Sequence, residues 1–137
     1  MLSGAILAFS IFAYAEDVSK EACDKGIEYA SGGNLDEAIG VFSKTIETDP
    51  SYAPAYFNRG NVYETKALYD EALSDYSKAI EIKPRYTEAF INRGNIYYKK
   101  GEYDKALLDY TKALEIDSSR GEAYVNLALT YEKMGQY

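Results

Sequence analysis

The sequence predicts an all-α array of antiparallel helix hairpins, and three observations lead there. The stretch 53–86 is written again, little changed, over 87–120: Tyr56, Gly60, Tyr63, Ala72, Tyr76 and Ala79 return as Phe90, Gly94, Tyr97, Ala106, Tyr110 and Ala113, with Pro84 losing its match at Ser118. Inside each copy the apolar residues recur at steps of three and four, the period of a helix with one buried face. Residues that turn or stop a helix fall at the same offsets in both copies, so each copy holds two helices rather than one. A repeat of this length marks a stacked array, in which a unit buries its faces against its neighbours.

In the middle copy, Pro54 opens the first helix, because a missing N–H costs nothing in the first turn, and helical spacing then runs to about Lys66. After a tight connection Asp70 is placed to cap a second helix, whose apolar face is Ala72, Leu73, Tyr76, Ala79 and Ile80. Pro84 stops it, and Gly101 and Asp104 mark the same turn one copy later. Gly60, Ala72 and Ala79 let the two backbones approach while Tyr56, Tyr63 and Tyr76 fill around them.

Counting back gives a first copy over 19–52, where Gly26, Tyr29, Ala38, Phe42 and Pro50 keep the pattern. Ala22 stands in it where the later copies carry Tyr56 or Phe90, and Gly32 and Gly33 are expected to loosen the end of its first helix. Such wear is normal in an end copy that packs on one side only. Residues 121–137 repeat the first helix alone, through Tyr124, Asn126, Ala128, Tyr131 and Gly135. Tyr124, Leu127, Ala128 and Tyr131 are thereby left as an uncovered apolar stripe. Two explanations are open: the chain is part of a longer array, or this helix docks on another copy or on the N-terminal segment.

Residues 1–15 carry no charge, are mostly apolar from Leu2 to Phe12, and end in Ala13-Tyr14-Ala15 before Glu16-Asp17. This is the pattern of a secretory signal peptide cleaved after Ala15, and the apolar run is too short for a span of about twenty residues. The expectation is export to a periplasmic or extracellular space, with 16–137 as the repeat domain. No basic residue precedes the apolar run, so an uncleaved, membrane-lying or buried helix stays open. In that case the protein is cytoplasmic or membrane-associated, and 1–15 is its only membrane contact.

Composition narrows the function classes. The 137 residues are 47% hydrophobic and 27% charged, which suits a globular chain. A net charge of -7 supplies no basic footprint for a phosphate backbone, so nucleic acid is not an expected partner. The absence of His removes the commonest general base and metal ligand, and the single Cys23 is expected to pack as a small apolar residue. No catalytic residue, metal or cofactor is expected.

Aromatic, Gly, Tyr, Ala, aromatic, Ala and Pro at these offsets resemble the tetratricopeptide repeat from Ser19 to Tyr137, with Tyr56, Phe90 and Tyr124 in place of the signature Trp. The resemblance implies a right-handed α-solenoid whose first helices line a concave face, and a non-catalytic scaffold or adaptor that binds a peptide or protein segment there. Carried onto this sequence, the face takes Phe57, Asn58, Asn61, Glu64 and Thr65 from one copy and Ile91, Asn92, Asn95, Tyr98 and Lys99 from the next. Asn126, Leu129 and Lys133 continue it. The expected peptide-binding set is Asn58, Asn61, Asn92, Asn95 and Asn126 with Phe57, Ile91 and Tyr98.

Asn58, Asn92 and Asn126 stand one repeat apart, and Asn is a poor helix former, so three in phase need a reason. Either their amides grip a peptide main chain, or they bridge adjacent helices or face water. A receptor for acidic chaperone tails is disfavoured, because Phe57, Ile91, Glu88 and Glu122 occupy places where the family's carboxylate clamp has cations. Arg59 and Arg93 are expected to cover apolar surface and pair with a nearby carboxylate. Two other functions stay in view: self-assembly through the incomplete last repeat, and an accessory role inside a larger protein.

Overall fold

The structure is a computed structural model that describes residues 4–135. The ends of two expectations, residues 1–3 of the leader and 136–137 of the last repeat, lie outside the described residues. Seven helices and no strand are present among the described residues: α1 Gly4–Ser31, α2 Leu35–Thr48, α3 Ala53–Thr65, α4 Tyr69–Ile82, α5 Thr87–Lys99, α6 Tyr103–Ile116 and α7 Gly121–Lys133. Helices adjacent in sequence pack together as hairpins. Beyond those pairs, α1 touches α3, α3 touches α5 and α5 touches α7, whereas the even-numbered helices do not touch one another. The array therefore curves with its odd-numbered helices on the inside, which is the right surface for a groove.

Local chemistry explains the boundaries. Pro54 sits in the first turn of α3, and α4 ends at Ile82, two residues before Pro84. Asp70, expected as a cap, is not one: Leu68 stands at the cap with no side-chain bond, and Asp70 lies inside the first turn. There a negative charge is favoured by the helix dipole, and the carboxylate also takes Lys100, just past the end of α5, at 2.7 Å. The turn inside each hairpin is left-handed at one residue, with φ of +82° at Gly33, +57° at Ala67 and +75° at Gly101, and Gly135 after α7 takes the same conformation at +71°. Gly33 is thus a turn requirement and not a sign of wear. Where Ser118 replaces a proline, Asp117 accepts from the Ser119 N–H at 3.0 Å and hydroxyl at 2.6 Å, as Asp49 does from Ser51 where Pro50 is kept. Those bonds, with Arg120 beside it, lower the Asp117 pKa.

The seam of each hairpin is a glycine against an aromatic ring. A Cβ on Gly60 would lie 2.8 Å from the ring of Tyr76, one on Gly94 2.8 Å from Tyr110, and one on Gly26 2.5 Å from Phe42. Only a residue without a side chain lets the helices close over rings this deeply buried, since Phe42, Tyr76 and Tyr110 are at most 1% exposed. Arg59 then bolts three helices: it donates twice to Asp75, at 2.8 Å each, and at 3.0 Å to Ser43 of the preceding hairpin. Arg93 repeats this with Asp109, at 2.7 and 2.8 Å, and with Ser77 at 3.1 Å. A forked pair around a carboxylate 5% exposed fixes geometry in a way a lysine could not. Cys23 packs with Ala38 and Phe42, and burial pushes its thiol up to about 11.

Before Ser19 becomes buried, α1 runs on from Gly4 to Val18 with every residue exposed. Phe9, Ile11, Phe12 and Tyr14 are among its uncovered side chains. No described helix is long and apolar enough to cross a membrane.

Candidate functional site: the concave face of the odd-numbered helices

Asparagines mark the inner surface, two on α3, two on α5 and one on α7, and the structure shows how they are wired. Asn92 of α5 donates its Nδ2 to Asn61 Oδ1 of α3 at 2.9 Å, and Asn126 of α7 donates to Asn95 Oδ1 of α5 at 2.9 Å. From below, the Tyr76 hydroxyl lies 2.7 Å from Asn61 Oδ1 and the Tyr110 hydroxyl 2.8 Å from Asn95 Oδ1. Burial raises the pKa of both tyrosines, so the hydroxyls keep their protons and remain donors.

This wiring leaves a definite remainder. Asn61 and Asn95 use their carbonyl oxygens and keep their Nδ2 donors, whereas Asn92 and Asn126 use one N–H and keep their Oδ1 acceptors. Along the face the unused groups therefore run donor, acceptor, donor, acceptor. Asn58 is the end of the series. The residue that would receive it, by the spacing of Asn92 to Asn61, is Ile27, which has no side-chain acceptor, and the Asn58 amide has no protein partner among the described residues.

Two hollows flank these asparagines. One, of about 190 Å³, lies between α1 and α3 against Ile27, Leu35, Asn58, Asn61 and Thr65. The other, of about 260 Å³, lies between α5 and α7 against Asn95, Tyr98, Lys99, Glu122, Asn126 and Leu129. Around them most charges are paired: Lys99 reaches Glu64 at 2.7 Å, and Arg120 pairs with Glu88 as well as with Asp117 at 2.8 Å. Among the described residues there is no cluster of three or more Cys, Asp or Glu able to hold a metal ion.

The expected binding residues separate into three groups. Asn58, Asn61, Asn92, Asn95 and Asn126 are half-buried, all but Asn92 lining the hollows, and Tyr98 walls the larger one with its ring 5.5 Å from that of Tyr103. Phe57 is half-buried and packs 4.8 Å from the Tyr86 ring and 5.8 Å from Tyr76, so only its edge is open. Ile91 is not on the open face at all: it is 3% exposed, clustered with Phe90, Ala113 and Ala123. Its position on the helix faces the next odd helix, which lands on it. Glu122, expected at a clamp position of this face, does wall the larger hollow. Sequence reasoning expected a carboxylate beside each arginine but did not identify Asp75 and Asp109, nor Ser43 and Ser77, as the anchors. The Arg to Asp spacing, the same in 59/75 and 93/109, carried that signal.

Comparison with known proteins agrees with this architecture. A family model described as TPR repeat matches residues 26–66, 69–101 and 94–135. Among solved structures, the first TPR of Spaghetti (RPAP3) bound to the HSP90 peptide SRMEEVD superimposes with a TM-score of 0.82 at 26% identity, over 86% of this chain and 94% of that one. The NMR structure of the first TPR domain of human RPAP3 gives 0.82 and 26%, over 88% and 94%. The Arabidopsis OM64 TPR domain gives 0.82 at 21%, over 87% and 98%, a likeness of fold. No curated protein matches the sequence. The chain belongs to the TPR repeat family, whose fold serves protein interaction.

Proposed function

We propose that the protein is a non-catalytic scaffold that holds an extended peptide segment along its concave face, with the asparagines reading the segment's main chain. The observation that carries this is the alternation of unused amide donors at Asn61 and Asn95 with unused acceptors at Asn92 and Asn126. An extended main chain offers one donor and one acceptor per residue and is matched by such a series without regard to its side chains. The structural neighbour that carries a peptide supports a peptide as ligand class.

The reading is tested by selecting binders from a random dodecapeptide display library on the full chain and measuring one enriched peptide by fluorescence anisotropy. Asn58→Ala breaks no bond of the fold and is expected to weaken binding about 3- to 10-fold, the worth of one hydrogen bond, at unchanged urea midpoint. An enriched peptide whose affinity ignores Asn58, Asn61 and Asn126 substitutions would sink the proposal.

A second reading has its own observation. On α7, Tyr124 is 52%, Val125 58% and Tyr131 40% exposed, an apolar surface that a second copy could cover. Light scattering distinguishes it: self-association that disappears in Leu127→Asp with Tyr131→Asp supports it, and a monomer at all concentrations rejects it. Export is proposed on the leader pattern together with the exposure of 4–15, whose removal would uncover no core. Mass spectrometry of the protein from its native source should find Glu16 as the first residue, and an intact Met1 would reject cleavage.

A further inference from the structure

The larger hollow differs from the smaller one in holding a carboxylate with no cation. Glu122 stands in the first turn of α7, exposed, on the wall shared with Tyr98, Asn95, Asn126 and Leu129. No ion pair engages it among the described residues, although every other charge at this hollow is matched. Lys99, the one cation on its wall, is turned away to Glu64 at 2.7 Å and lies 5.6 Å above the Tyr69 ring. One repeat earlier, Glu88 holds the equivalent place on α5, and there the molecule supplies its own ligand: the guanidinium of Arg120 donates to it. The pair at Glu88 shows that a carboxylate at this register of an odd helix can take a guanidinium.

We infer that the hollow between α5 and α7 takes a Lys or Arg side chain of the bound segment, with Glu122 as its counter-ion. The inference rests on the groove reading above and gives it a direction of charge. The environment suits the whole side chain and not just its tip. Leu129 and the Tyr98 ring offer apolar surface to a long stem, as such stems commonly require, and the unused Asn126 Oδ1 offers a second acceptor to the head group. An acidic side chain finds the opposite: Glu122 repels it, and the nearest ammonium is already engaged. The peptide bound by the structural neighbour, SRMEEVD, by contrast carries three acidic residues among its last four.

The test extends the dodecapeptide selection on the full chain. The expected result is enrichment of Lys or Arg at one fixed position of the aligned peptides, lost on Glu122→Gln and replaced by Asp or Glu on Glu122→Lys. Glu132→Gln removes the same charge from the same helix away from the hollow and should leave the enrichment unchanged, which separates a site from general attraction to an acidic protein. For one enriched peptide, replacing the basic residue by norleucine should weaken binding about 5-fold on the native chain, the upper range for an exposed ion pair, and less than 2-fold on Glu122→Gln. Enriched peptides without a basic position, or a basic preference that survives Glu122→Gln, overturn this inference and leave the groove reading standing. Enrichment indifferent to the asparagine substitutions, or none at all, overturns both.

Discussion

The seam inside each hairpin and the concave face are built from the same helices, yet they treat their polar groups in opposite ways. At the seam Arg59 spends its fork on Asp75 and its remaining nitrogen on Ser43, and Gly60 admits the Tyr76 ring with no space left over. On the concave face, Asn61 and Asn92 satisfy one side of each amide and leave the other open. The difference lies in what each position faces. A residue facing its own hairpin is enclosed by two elements and must be fully matched, because an unmatched buried group costs about 1–3 kcal/mol. A residue facing the next repeat's equivalent is enclosed on one side only, and water or a ligand completes it.

Breaking the seam should therefore cost far more than breaking the face. Asp75→Ala leaves the largely buried Arg59 guanidinium without its counter-charge, with only the Ser43 hydroxyl as partner, and is expected to lower stability by about 3 kcal/mol, the low end for breaking a buried pair, since Arg59 keeps some water. Asp109→Ala should match it closely, because the Arg93 pair has the same burial and nearly the same distances. Urea unfolding monitored by circular dichroism checks both, and a loss below about 0.5 kcal/mol, the level of an exposed pair, would show that the bolt is ornamental.

A smaller effect follows from the glycines. Gly94→Ala gains about 1 kcal/mol of helix propensity but drives a methyl to 2.8 Å from the Tyr110 ring, and overpacking of this kind costs about 1–3 kcal/mol. A net loss at Gly94 is expected in urea unfolding. At Gly40, where nothing lies within 4 Å, the same substitution should stabilise. Equal effects at the two sites would mean that propensity alone governs and that the seam is not tight.

The seam was legible because its residues are large or absent in strict phase: Gly60 with Tyr76 and Gly94 with Tyr110 announce themselves by size. The concave face was legible only in its composition. Asn58, Asn92 and Asn126 stand in register in the sequence, but which of them bridge depends on a partner in the previous repeat, and that partner changes from Asn95 and Asn61 to Ile27. Ile91 misled for a related reason. A helical wheel ranks faces of one helix, and whether a face meets water or the next helix is a property of the stacking. The same holds for Glu122, whose meaning comes from comparison with Glu88 and the Arg120 that reaches it.

The least costly change sharpens the comparison from the side of the backbone. Two of the three hairpin turns among the described residues place glycine at the left-handed residue, and the third places Ala67 there with φ of +57°. A Cβ in this conformation crowds the following carbonyl at a cost of about 1–2 kcal/mol, while glycine surrenders more freedom on folding by up to about 1 kcal/mol. Ala67 is exposed, so its methyl contributes no packing to set against the strain. Ala67→Gly is therefore expected to raise stability by up to about 1 kcal/mol in urea unfolding and to leave peptide affinity unchanged, because the turn belongs to the hairpin and not to the face. A gain in stability accompanied by altered peptide binding would show that hairpin closure and groove geometry are coupled, and that the division between a finished seam and an unfinished face is too sharp.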